Sequence, residues 1–178
     1  MKAYLFDPNG EYPAAVALCH DYRPDWDYEI DESVSEADLK ALHEILHEIE
    51  ECVLPALDID GVMIFVMKSD DLESPVGLYV NGTGSFPCIG IDLSHIRRCN
   101  GSEGEFRVQL CMTLVHELGH AFVAANGCEE KDQEDLADEE VIVEGFAENY
   151  VDFGIVSTDA LAGFVKRLQQ DEGRAPRL

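Results

Sequence analysis

The sequence predicts an α+β domain, in which a small twisted β-sheet packs against a helix that carries two histidines one turn apart. The observations behind it are a continuous apolar run at 61–67, a hairpin pattern over 76–93, and several apolar-faced segments of helical length. The chain has 178 residues, which is enough for one hydrophobic core. No linker or break in composition divides it, so we expect a single domain over residues 1–178.

The N-terminal third is predicted to contain one strand and one helix. Ala3–Phe6 has the pattern of a short strand, whereas residues 11–34 show no clear periodicity and stay unassigned. A helix is expected from about Ser35, where Ser35 and Asp38 form a capping pair, and Pro55 ends it. Its apolar stripe consists of Leu39, Leu42, Leu46, Ile49 and Val53.

The middle of the chain is predicted to form the sheet and the central helix. Gly61–Met67 is typical of a buried strand, and Val76–Val80 with Pro87–Leu93 indicates a hairpin around a glycine-rich turn. The next helix is expected over about 105–125, with Gly127 placed to cap its end.

The C-terminal part is predicted to hold two further helices after an acidic connection at 129–140. The first should begin near Asp138 and run to Phe153, and the second should span about 158–170. The buried face of the second is expected to consist of Leu161, Phe164, Val165 and Leu168.

Charge and cysteine content limit the partners and the compartment. The formal net charge is -25, so nucleic acid and anionic membranes would be repelled, and we expect neither as a partner. The start of the chain does not resemble a signal peptide, and no apolar run suggests a membrane span. The six cysteines include no CxxC pair, so we expect free thiols and a cytoplasmic protein.

The most informative segment is Thr113–Phe122, which contains His116-Glu-Leu-Gly-His120. The two histidines are four residues apart, so on a helix their imidazoles share one face and can bind one metal ion. Glu117 between them is placed to act on a water that the metal activates.

A second match to the same short pattern serves as a control. His43-Glu-Ile-Leu-His47 is flanked by acidic residues, and the apolar stripe of its helix leaves both histidines on the solvated side. Because short motifs often match by chance, we interpret it as an exposed helix face.

A catalytic zinc site needs three protein ligands and one open position, so a third ligand must come from elsewhere. Glu144, in Glu144-Gly-Phe-Ala-Glu148, is the preferred candidate, because Gly145 would let its helix approach the metal-binding helix closely. Glu148 is rotated only about 40° from Glu144 on a helix and could accept a hydrogen bond from a ligand imidazole. Glu140 is the alternative ligand, although Val141 after it would crowd the helix contact.

These motifs resemble the gluzincin branch of the zincin metallopeptidases, over about residues 76–153. The resemblance implies a zincin-like fold with one zinc ion on His116, His120 and Glu144, and Glu117 as general base. Two features depart from the family. Twenty-three residues separate His120 from Glu144, more than in the thermolysin type, to whose spacing Glu140 is closer. No histidine follows His120 to stabilise an oxyanion.

The expected function is therefore zinc-dependent hydrolysis of peptide bonds in a peptide or protein substrate. The alternatives are a catalytically inactive zincin-like metal-binding module that engages a basic partner through its acidic surface, and a hydrolase of non-peptide amides. Candidates for stabilising the oxyanion are Tyr79, His95, Arg97 and Tyr150, none of them preferred.

Overall fold

The computed structural model of the chain describes residues 2–6, 35–66, 76–80, 87–126 and 131–172. It is a mostly helical α+β structure, which confirms the predicted class at that level. Its elements in chain order are β1 (Lys2–Phe6), α1 (Glu36–Cys52), β2 (Gly61–Val66), β3 (Gly77–Val80), β4 (Cys88–Ile91), α2 (Leu93–Cys99), α3 (Glu103–Asn126), α4 (Gln133–Phe153) and α5 (Asp159–Glu172). The predictions for 11–34, for the hairpin turn and for Gly127 lie outside the described residues.

The four strands form one mixed sheet in the order β1-β2-β4-β3. The first two pairings are parallel, and β3 with β4 is the predicted antiparallel hairpin, with Tyr79 opposite Ile89. The apolar strands β2 and β4 occupy the centre of this order. Strand β3 forms one edge of the sheet and packs against α3.

Helix α3 is the centre of the core. It contacts β3 and β4 of the sheet together with α1, α2, α4 and α5. By length and composition it is also the one helix among the described residues that could cross a membrane. Here it is a core helix, and its buried residues include Phe106, Leu110, Leu114 and Leu118. It spans Glu103–Asn126, close to the expected range of about 105–125.

Helix α1 begins where the sequence indicates. The Ser35 side chain accepts a hydrogen bond from the Asp38 backbone N–H at 3.1 Å, and Asp38 caps in return, so the predicted capping box is confirmed. Buried Asp38 also binds Arg97 of α2, whose Nε donates to Oδ1 at 2.8 Å. Arg97 also binds Glu103 at the start of α3, so the side chain of Arg97 links α1, α2 and α3.

Two helices differ from expectation. Helix α2 was not predicted; it is only seven residues long and begins where Asp92 accepts a hydrogen bond from the His95 N–H at 2.7 Å. Helix α4 begins at Gln133 rather than near Asp138. The Asp132 side chain caps it by accepting hydrogen bonds from the backbone N–H groups of Glu134 and Asp135. Acidic residues are favourable in a first helical turn, so much of the expected acidic connection is helix.

The C-terminal helices close the core as expected. Gly154 has φ 65° and ends α4 in the left-handed conformation that glycine adopts without strain. Helix α5 then packs on α3 and α4, and its predicted apolar residues, Leu161, Phe164, Val165 and Leu168, are all buried.

Candidate metal centre

The two histidines of the central motif face each other on α3. Their Nε2 atoms are 3.1 Å apart, as the spacing of one helical turn predicts. Both side chains are largely covered, with exposed fractions of 18% for His116 and 16% for His120. The pair therefore offers two nitrogens at one point on the α4 side of the helix.

Glu140 of α4 completes a three-residue group that could hold a metal ion. Its Oε2 lies 3.4 Å from Nε2 of His116 and its Oε1 lies 3.3 Å from Nε2 of His120. The Glu140 side chain is 63% exposed, so this side of the group is open to solvent. The structure thus brings Glu140, the alternative of the sequence analysis, into the position for which Glu144 was preferred.

Glu144 lies on the other side of His116. Its Oε2 is 3.0 Å from Nδ1 of His116, where it accepts the ring N–H. Glu139 has the same relation to His120, with Oε1 2.8 Å from Nδ1. Both histidines are therefore held by carboxylates through the nitrogens that point away from the group. Such partners fix the ring orientation and the tautomer of a metal ligand.

This hydrogen bonding leaves an electrostatic problem that a cation would solve. When Nδ1 of a neutral imidazole carries the proton, Nε2 carries a lone pair. The two Nε2 lone pairs then lie 3.1 Å apart, and each faces one oxygen of Glu140 at 3.3 or 3.4 Å. Acceptors at such distances repel one another unless a proton or a metal cation lies between them.

The separations also fit a tetrahedral ion. Zinc bonds of about 2.0–2.1 Å at the tetrahedral angle place neighbouring ligand atoms about 3.3 Å apart. The two histidine Nε2 atoms are 3.1 Å apart, and each lies 3.3–3.4 Å from a different oxygen of Glu140, while one ligand atom from each of the three residues lies within 4.8 Å of the others. Two imidazoles and one carboxylate are also donors that zinc accepts in catalytic sites. The residues present therefore fit zinc.

Lys131 extends the hydrogen-bonded chain behind His120. Its Nζ is 2.5 Å from Oε2 of Glu139, whose side chain is only 5% exposed. Burial raises the pKa of Glu139, but the hydrogen bonds from His120 and Lys131 outweigh it and leave the pKa below its ordinary value. Burial lowers the pKa of His120, whereas Glu139, Glu140 and Glu117 raise it, and the net result is a raised pKa. The centre thus attracts positive charge.

Glu117 is buried on the side of α3 that faces strand β3. Its residue is 8% exposed, and its carboxylate accepts a hydrogen bond from the backbone N–H of Tyr79. Burial raises the pKa of Glu117 above its ordinary value, although the charges of the two histidines and the Tyr79 bond lower it. A raised carboxyl pKa suits a group that must take up and release a proton near neutrality.

The close approach of α3 and α4 occurs at Gly119, within the histidine motif. A Cβ at Gly119 would lie 3.0 Å from Cβ and Cγ1 of Val143, whereas a Cβ at Gly145 would meet nothing within 4 Å. The expectation that Gly145 permits the approach is therefore wrong. The small residue is needed on α3, where Val143 packs against it.

The other candidates lie elsewhere. Glu148, expected to orient an imidazole, is exposed on α4, and Glu144 and Glu139 make those bonds instead. Tyr150 donates to Glu48 of α1 at 3.1 Å.

Of the remaining oxyanion candidates, Tyr79 has an electrostatic interaction with Glu139, which binds His120. Arg97 is bound to Asp38 and Glu103, and His95 is buried in α2. Tyr79 lies near enough to Glu139 for that charge to contribute to its raised pKa, after the larger effect of burial.

The second match to the motif forms no comparable group within the described ranges. His47 is exposed and lies 3.6 Å from Glu51, its neighbour one turn along α1. His43, expected on the same solvated side, is only partly exposed, and its Nε2 is buried with no hydrogen-bond partner among the described residues, so for His43 the expectation is wrong. The interpretation of His47 as part of a solvated helix face is confirmed by this exposure.

Glu139 and Lys131 were missed by the sequence analysis. Glu139 occupies the first position of the buried stripe of α4, which continues with Val143, Phe146, Ala147 and Tyr150. A carboxylate at a core position of an apolar stripe indicates a buried partner, and this pattern could have identified Glu139. Lys131 precedes the helix, and no periodicity marks it.

No protein-family model, curated protein or solved structure matches this chain. Its metal group is therefore defined by the geometry of His116, His120 and Glu140 alone.

Proposed function

We propose that this protein is a zinc-dependent metallopeptidase with a gluzincin-type centre, in which His116, His120 and Glu140 hold one zinc ion. The observation that carries the proposal is the convergence of two Nε2 atoms and one carboxylate within 3.1–3.4 Å, beside the buried carboxylate of Glu117. Glu144 and Glu139 would orient the two imidazoles, a part that the sequence analysis had given to Glu148.

The chemistry divides between the metal and Glu117. Zinc at this position would lower the pKa of a water towards about 7 and polarise the carbonyl of a substrate. Glu117 accepts the proton of the attacking water and delivers it to the leaving amine. Its burial supports this role, because a raised pKa brings the two protonation states closer in free energy.

The surroundings of the centre suit an extended peptide. Strand β3 is an edge of the sheet and runs beside α3, so a substrate backbone could be bound by strand addition there. Tyr79, on this strand and close to Glu139, is the nearest candidate for stabilising the oxyanion.

The test compares two glutamates in matching motifs. We expect zinc-loaded wild-type protein to cleave members of a diverse peptide library, with the products identified by mass spectrometry. Glu117→Gln should keep zinc but lose about 10²–10⁴-fold in rate, because a general base contributes that much. Glu44→Gln changes the same position of the second match, on an exposed part of α1, and should leave the rate unchanged.

The outcomes separate the candidate functions. Full activity in Glu117→Gln would contradict the role of that residue. Zinc binding without cleavage of any peptide by the wild-type protein would contradict the peptidase proposal. It would favour the metal-binding module that engages a basic partner or, if small amides were cleaved, the non-peptide hydrolase.

A further inference from the structure

Strand β3 and helix α3 are in unusually close contact at Gly77. A Cβ built on Gly77 would lie 2.4 Å from Cγ2 of Thr113 and 2.7 Å from Oε1 of Glu117. Both distances are well inside van der Waals contact, so no other side chain fits without a shift. Gly77 is thus one of the positions at which strand β3 contacts the glutamate of the metal-binding motif.

Thr113 cannot easily give way. It is buried, and its Oγ1 donates to the carbonyl of Gln109 at 2.8 Å, one turn earlier on α3. This hydrogen bond fixes the rotamer of a β-branched side chain and directs Cγ2 towards Gly77. A larger residue at 77 would therefore displace either the strand or the Glu117 side chain.

The backbone of the same strand binds the carboxylate. Asp92 N–H donates to Val76 O at 2.9 Å, so the alternating pattern of the hairpin directs the N–H of Tyr79 away from β4. This outward N–H is the donor to Glu117. The edge strand β3 therefore supplies the Tyr79 N–H as a donor to Glu117. The strand can lie this close to α3 because residue 77 has no Cβ.

We propose that strand β3 positions the general base, with Gly77 setting the distance between strand and helix and the Tyr79 N–H holding the Glu117 carboxylate. Gly77 is a positioning residue in this account. The proposal rests on the function proposed above for Glu117, and it adds that this function depends on the edge strand as much as on α3. His116 and His120 contact Glu140 of α4, and none of the three atoms nearest to a Cβ built on Gly77 belongs to them.

The experiment uses Gly77→Ala, Thr113→Ser and the double variant. Gly77→Ala should lower kcat by about 10–100-fold, the scale of an ångström misplacement, with little change in KM. Its zinc affinity, measured by competition with a chelator, should stay within about threefold of wild type, because the two histidines make their contacts with α4. Adding Thr113→Ser removes Cγ2 but keeps the hydroxyl, and it should restore part of kcat, because the contact with Oε1 of Glu117 remains. Gly104→Ala on α3, where a Cβ meets nothing within 4 Å, is the matched control and should change neither quantity.

A measurement without substrate separates this proposal from the proposed function. The visible absorption of the cobalt-substituted protein reports the surroundings of the metal, and wild type and Glu117→Gln should differ. Gly77→Ala should shift the spectrum towards that of Glu117→Gln, and the double variant should shift it back. Identical spectra for wild type and Glu117→Gln would count against Glu117 acting at the metal at all.

The other results test the positioning role of β3 independently of the proposed peptidase function. Wild-type kcat and spectrum in a folded Gly77→Ala protein would overturn the proposal. An equal loss of zinc and activity would also overturn it, because the glycine would then support the whole centre. If Gly77→Ala does not fold, the double variant decides. A folded double variant with reduced kcat supports the proposal, and failure of both to fold would show that Gly77 serves the fold instead.

Discussion

Glu140 and Glu144 differ by one turn of α4, yet they contact opposite sides of His116. Glu140 lies at Nε2 and Glu144 lies at Nδ1. The sequence places both on one face of a helix, but it does not determine which turn of α4 meets the histidines. That choice is a displacement of about 6 Å along the helix axis, and it depends on tertiary packing.

Three single substitutions on α4 test this assignment. Glu140→Ala should weaken zinc binding by more than about 100-fold, because it removes a ligand. Glu144→Ala should weaken it by about 10–100-fold, the range for groups that orient ligand histidines. Glu148→Ala, one turn further along, should have no measurable effect. Chelator competition at fixed pH measures all three, and a larger loss in Glu144→Ala than in Glu140→Ala would reverse the two roles.

Among the helices and strands, local sequence patterns are sufficient to predict an element when interactions between nearby residues determine it. The capping pair of α1, the hairpin of β3 and β4, and the apolar stripe of α5 were all identified from spacing and composition. The start of α4 was misplaced because its acidic first turns were interpreted as a solvated connection. Asp132 and the helix dipole stabilise that turn, and neither depends on apolar periodicity.

The packing of α3 on α4 could not be predicted in the same way. The sequence favours Gly145 for the close approach of the two helices, but it occurs at Gly119 against Val143. Both glycines lie inside helices, and only the rotation of each helix about its axis decides which one faces its partner. A single sequence shows where the glycines lie in each helix, but it does not show which of them contacts the neighbouring helix.

Gly119→Ala and Gly145→Ala form a matched pair for this contact. Each gains about 1 kcal/mol of helix propensity, so their difference isolates packing. Overpacking typically costs about 1–3 kcal/mol, and we expect Gly119→Ala to be less stable than Gly145→Ala by that amount in chemical denaturation. Zinc affinity should also fall in Gly119→Ala, because a wider helix separation moves Glu140 away. Equal stability of the two variants would contradict the contact.

For the whole molecule, the metal is expected to add a further link between α3 and α4, which already meet through packing and two histidine–glutamate hydrogen bonds. His116 and His120 lie on α3 and Glu140 lies on α4, so an ion bound by all three stabilises the folded state. At about 100 times its dissociation constant, a bound ion adds about 2.7 kcal/mol, which for a chain of this size raises Tm by roughly 5–10 °C. Addition of a chelator should reverse this increase. A Tm that is independent of zinc would contradict the link.

The central claim, that two imidazoles and one carboxylate close around a divalent cation, is tested most directly by elemental analysis of protein never exposed to chelators. Inductively coupled plasma mass spectrometry should find one zinc per chain, and a variant lacking both His116 and His120 should contain almost none. The absence of stoichiometric transition metal from the wild-type protein, together with no uptake from added zinc, would contradict the account.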